Sequence, residues 1–109
     1  MKLIHEMANP EDTKLVTLAT NTLARSGARE AAALRDTTGR TYVAINVQSP
    51  SLNLDAFEAV LTVALASGIT GIESVVATGV QPHNVKAIKD FAPTATVFYI
   101  ASDGQEHSL

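Results

Sequence analysis

The sequence predicts a three-layer α/β/α sandwich built on one mixed sheet, in the element order α-β-β-α-β-α-β. Three observations carry that expectation. Short runs that read as strands alternate with longer segments of helical spacing. The first two runs lie close enough together to form a hairpin. Seventeen alanines, with aromatics at only 5%, suit helices packed close against a sheet. The 109 residues fit a single domain, 1–109, and leave no room for a second core.

Asn9, Pro10, Glu11 and Asp12 read as a helix start. Asparagine caps, proline suits the first helical position, and two acids favour the positive end of the dipole. Leu15, Leu18, Ala19, Thr22 and Leu23 follow at helical spacing and Gly27 stops the run, which places the first helix at 10–25. Residues 30–36 are rich in alanine, but too short for a helix between Gly27 and the turn at 36–39. A strand is expected there, paired with 41–47, where Val43, Ile45 and Val47 share one face.

Asn53 precedes a second helix, 54–67, closed by Gly68. Phe57, Val60, Leu61, Ala64 and Leu65 give it a broad apolar face, widened by Val63 and Ala66. Asp55, Glu58 and Thr62 form a thin polar line, so the helix is expected to be largely buried. A strand at 72–78, a short helix at 83–90 after Pro82, and a strand at 94–101 complete the order. The expected sheet carries an antiparallel hairpin at one side and right-handed crossovers beyond it. The pattern leaves open whether the tail after Asp103 adds a strand.

Composition excludes several functions. A net charge of −3 gives no electrostatic basis for binding nucleic acid or an anionic membrane. The absence of cysteine removes disulfides, thiol nucleophiles and thiolate metal sites. The opening Met1 to Glu6 shows no signal peptide or membrane span, so a cytoplasmic protein is expected. No Gly-x-Gly-x-x-Gly, Walker, His-Glu-x-x-His or Gly-x-Ser-x-Gly motif occurs. His5, His83 and His107 have no metal-ligand spacing, and Gly68 with Gly71 reads as a helix end and turn.

Several short segments nevertheless resemble the cytidine deaminase family. Ala31 to Asp36 followed by Thr38, Gly39 and Arg40 is similar to that family's first hairpin. Ala44 to Ser49 looks like its Gly-x-Asn-Val-Glu-Asn, whose Asn and Glu hold the ribose. Leu54 to Glu58, with Ala64 and Gly68, sits where the family has its Cys/His-Ala-Glu helix. Pro82, with Asp90 to Pro93, sits where it has Pro-Cys-x-x-Cys and a Glu-Phe ending. The resemblance spans about residues 10–100.

That resemblance implies a zinc hydrolase fold: one ligand from the first motif helix, two from the second, and a Glu that shuttles protons. This chain departs from each requirement. Aligned back from Gly68, the first ligand position holds Asp55 and the acid position Phe57. Shifted by one, Glu58 meets the acid position but Ala56 the ligand position. The two cysteine positions hold His83 and Lys86 counted from Pro82, or Gln81 and Asn84 counted back from Phe91. A lysine ammonium has no lone pair for zinc, and amides bind it poorly. No metal and no other cofactor is therefore expected.

Asn46 matches the family's sugar-binding asparagine, and Gln48 replaces its glutamate with a neutral amide. Both are candidates for ligand contact, or simply for ending a strand. Asp55, Phe57, Pro82 and His83 are the positions equivalent to the family's pocket. Asp55 also suits a helix start, and Glu58 is either solvent-facing or the one candidate proton shuttle. Two functions follow as expectations for an inactive relative: binding a nucleoside-like small molecule, or assembling as a dimer or tetramer through the apolar second helix, as the family does. The alternative is an active deaminase with an atypical metal site.

Overall fold

The computed structural model describes residues 9–109; Met1 to Glu6, and with them His5, lie outside those residues. The chain runs α1 (Pro10–Ser26), β1 (Glu30–Asp36), β2 (Thr41–Ile45), β3 (Val47–Gln48), β4 (Asn53–Leu54), α2 (Ala56–Ala66), β5 (Ile72–Gly79), α3 (Val85–Phe91), β6 (Thr96–Ile100) and β7 (Glu106–Ser108). The main sheet has the order β2-β1-β5-β6-β7. β1 is antiparallel to both β2 and β5, β5 and β6 are parallel, and β7 closes the far edge antiparallel to β6. Two links are crossovers: β2 and β5, both antiparallel to β1, run the same way and are joined through α2 across it, and the parallel neighbours β5 and β6 are joined through α3. The tail does add a strand.

Helix α1 begins as the sequence dictates. The Asn9 side chain accepts from Glu11 N at 2.9 Å, Pro10 opens the helix, and Gly27 ends it at φ 70°. It covers one face of the sheet, where Leu15 and Ala19 pack on Ala33, Val76 and Ile100. Helices α2 and α3 cover the other face, with Phe57, Val60, Ala64, Ile88 and Ala92 against Ala32, Leu34, Val75 and Val97. Strand β1 is therefore buried along its whole length, which explains a run of alanines with no polar alternation. Phe57 is fully buried at the centre of this layer; truncating such a side chain costs about 3–5 kcal/mol.

The structure departs from the sequence reading at two boundaries that shape the site. The second strand stops at Ile45 rather than Val47, because Asn46 turns out of the ladder. Its side-chain oxygen accepts from Glu30 N at 3.1 Å, and Val47 and Gln48 then pair with Leu54 and Asn53 in a separate ribbon. That ribbon occupies 53–54, so α2 starts at Ala56 and Asp55, not Asn53, is its N-cap. The outer side of α2 is also less covered than its composition suggests. Val63 and Leu65 are 43% and 44% exposed, because the sheet and α3 reach only the face that carries Phe57, Val60 and Ala64.

Candidate functional site

A cleft of about 340 Å³ opens where β1, the β3–β4 ribbon and the starts of α2 and α3 meet. Its walls are mostly polar: Arg29, Glu30, Asn46, Gln48 and Asn53 on the strand side, Asp55, Glu58 and His83 on the helix side, with Leu54 between them. Five of the positions expected from sequence come together in it, namely Asn46, Gln48, Asp55, Glu58 and His83. Phe57 and Pro82 do not line it. Both are buried behind it, Phe57 in the core and Pro82 just ahead of α3.

Gly79 holds the back of the cleft in register. It has φ 94°, and a Cβ there would meet the Arg29 carbonyl oxygen at 2.3 Å. That carbonyl accepts from Val80 N at 2.9 Å, while Gly79 pairs with Glu30. Only glycine lets the end of β5 approach the start of β1 this closely.

The centre of the helix wall is the Asp55 carboxylate. Its Oδ1 accepts from Glu58 N at 2.8 Å and caps α2. Its Oδ2 accepts from His83 N at 3.0 Å and Asn84 N at 2.7 Å, 28 and 29 residues further along the chain. One buried acid thus ties the start of α2 to the segment that starts α3. The positive end of the α2 dipole favours the negative charge it carries there.

Glu58 answers Asp55 in a capping box: its Oε1 accepts from Asp55 N at 2.8 Å and its Oε2 from Asn84 Nδ2 at 2.6 Å. The Asn84 hydrogen bond, followed by the one from Asp55 N, holds the Glu58 carboxyl below its ordinary value against a smaller opposing effect of burial. Glu58 is therefore not a free side chain on a solvent-facing line; of the expected polar line, only Thr62 is exposed. Asn84 completes the network by capping α3, its Oδ1 accepting from Ala87 N at 3.1 Å.

Glu30 escaped the sequence reading, and so did the contacts of Asn84, which was weighed only as a cysteine-equivalent position. Glu30, buried at the start of β1, accepts through Oε1 from Ala56 N at 2.8 Å. Asn84 joins both helices. A Pro-His-Asn segment before a helix signals the cap, but nothing local signals its contact with Glu58.

The domain model described as cytidine deaminase-like matches residues 8–104. The chain belongs to that family. The fold is similar to the crystal structure of cytidine deaminase from Mycobacterium leprae, with a TM-score of 0.65 and 16% identity over 92% of this chain and 93% of that one. Comparison with curated proteins returns no match.

In this cytidine deaminase-like chain the helix starts are where zinc would be held. Asp55, Glu58 and His83 each offer one ligand atom, all within 4.8 Å of one another. These atoms already serve the two helix starts, and of their oxygens Asp55 Oδ1 and both Glu58 oxygens each keep one lone pair. Asp55 Oδ2, the oxygen 3.3 Å from His83 Nδ1, already takes two main-chain N–H groups, which occupy both its lone pairs. Each Glu58 oxygen is also engaged by an N–H donor. A cation drawn to these atoms would compete with the bonds that start both helices.

Proposed function

We propose that this protein binds a nucleoside-like small molecule in the cleft without deaminating it. The observation that carries this reading is the cleft itself. It is open, polar and of a size suited to a small ligand, with Asn46 and Gln48 on its strand wall. The groups that would have to run a zinc hydrolysis are engaged in holding the fold. The Gln48 side chain is exposed and has no hydrogen-bond partner among the described residues, so its amide is available to ligand hydroxyls.

Thermal unfolding with cytidine, uridine and nucleotides tests the reading, together with ammonia release from cytidine and metal analysis of protein purified without chelators. Ligand at 100 times its Kd stabilises the native state by about 2.7 kcal/mol, so a nucleoside should raise the Tm by several degrees. No shift at millimolar nucleoside would remove the binding function. Ammonia release with stoichiometric metal would establish the active-deaminase alternative instead, and Glu58→Gln should then abolish it.

A second reading, assembly with another copy, is supported by Val63 and Leu65, large apolar side chains nearly half exposed on α2. Light scattering should then give a dimer or tetramer. A monomer at micromolar concentration would sink that reading.

A further inference from the structure

Glu30 is the residue of the cleft whose chemistry the fold leaves unfinished. It is 8% exposed, and a carboxylate buried to that extent costs free energy unless it is paired or hydrogen-bonded. Only Oε1 is engaged, by Ala56 N. Among the described residues Oε2 has no hydrogen-bond partner, and no cationic side chain forms an ion pair with the carboxylate. Nor is Oε2 among the polar atoms sealed from solvent, so it opens onto the cleft that Glu30 lines.

The start of α2 favours a charge on Glu30, but it engages only one of the two carboxylate oxygens. A neutral amide would also accept from the Ala56 N–H, though more weakly, without leaving half a carboxylate unpartnered. Asn46, beside it, is committed in the complementary sense. Its Oδ1 accepts from Glu30 N, while its Nδ2 donors have no partner among the described residues. The strand wall therefore presents a charged acceptor and an amide donor together, which matches a hydroxyl pair or an N–H beside an acceptor. The lining as a whole holds three carboxylates, Glu30, Asp55 and Glu58, with Arg29 and His83 as its basic residues. Such a lining disfavours a phosphorylated ligand.

We propose that Glu30 is the ligand-anchoring acid of the cleft, accepting through Oε2 from a hydroxyl or N–H of an unphosphorylated nucleoside-like molecule. This rests on the binding function proposed above and adds to it the anchor and the charge selection.

Isothermal titration of the full chain with cytidine, uridine and their 5′-monophosphates tests it, on wild type and Glu30→Gln. Glutamine keeps an oxygen for Ala56 N and puts a donor where Oε2 accepts. Nucleoside affinity should fall about 10-fold to 100-fold in the variant, as expected for a hydrogen bond to a charged group, with the Tm held. On wild type alone, each monophosphate should bind at least about tenfold more weakly than its nucleoside. That arm tests the charge selection without the variant; should Glu30→Gln fold poorly, Glu30→Asp tests the anchor, since a carboxylate one methylene shorter cannot reach both Ala56 N and the ligand, and affinity equal to wild type would overturn it. Equal nucleoside affinity in wild type and a folded variant would overturn the anchor while leaving nucleoside binding intact. A monophosphate bound as tightly as its nucleoside would overturn the charge selection. Wild type that binds none of the four would overturn the binding function as well.

Discussion

Removing the Asp55 carboxylate should unfasten two helix starts at once. Its three accepted N–H bonds measure 2.7–3.0 Å, and the side chain is 3% exposed. Loss of an N-cap alone costs about 1 kcal/mol. The His83 and Asn84 N–H groups lose charge-assisted bonds worth about 1.5–3 kcal/mol each, part of which water regains because His83 is exposed. Asp55→Ala should therefore cost about 4 kcal/mol. A chain of 109 residues has an unfolding entropy that converts 1 kcal/mol to about 4 °C, so the Tm should fall by about 16 °C.

Asp55→Asn keeps one acceptor and turns a donor toward N–H groups, and about half that loss is expected. Thermal unfolding followed by circular dichroism reads both variants, with wild type measured in chelator and in zinc. The wild-type Tm should not move in either. If Asp55→Ala melts within about 4 °C of wild type, the carboxylate does not join the helices. If chelator lowers the wild-type Tm, a metal rather than hydrogen bonding completes the site.

Two further outcomes follow from the same geometry. Gly79→Ala should destabilise by about 3 kcal/mol or more, because a Cβ 2.3 Å from the Arg29 carbonyl meets backbone that has nowhere to move; urea unfolding within about 1 kcal/mol of wild type would contradict it. Glu58 and Asp36 both hold their protons less readily than their ordinary values of 4.5 and 3.8. For Asp36 burial acts in the opposite direction but is outweighed by hydrogen bonds from Thr38 and Arg40. Both contribute stability that is present above those values and is lost as pH falls through the lower native ones. The urea midpoint should therefore drop below about pH 5, and Glu58→Gln with Asp36→Asn should flatten that drop. A midpoint that rises on acidification would refute the assignment.

How far the sequence could be read depends on whether a residue's partners are local. Asn9, Pro10 and Gly27 bound α1 through contacts within four residues, and the helix runs one residue past its expected end. The 30–36 strand was legible because Gly27 and the 36–39 turn leave no length for a helix, whatever alanine prefers. The start of α2 was misplaced for the opposite reason. Asn53 is a good cap by type, but Asn53 and Leu54 pair with Gln48 and Val47, a contact local rules do not weigh. The final strand fails the same way: β7 has only three residues and exists because β6 offers it an edge.

The site lies where these elements end, which is why its residues read as punctuation. Asn46 closes a strand, Asp55 and Asn84 open helices, and each does so in the structure. Their second connections, Asn46 to Glu30 and Asp55 with Glu58 to the start of α3, are what turn separate ends into a cleft. The missing cysteines acquire a physical counterpart in this arrangement. A carboxylate that accepts three main-chain N–H groups can join two helix starts, but its lone pairs are then largely spent. The polar atoms left over sit on the other wall, at Glu30, Asn46 and Gln48. Those atoms are where the proposed ligand contacts fall.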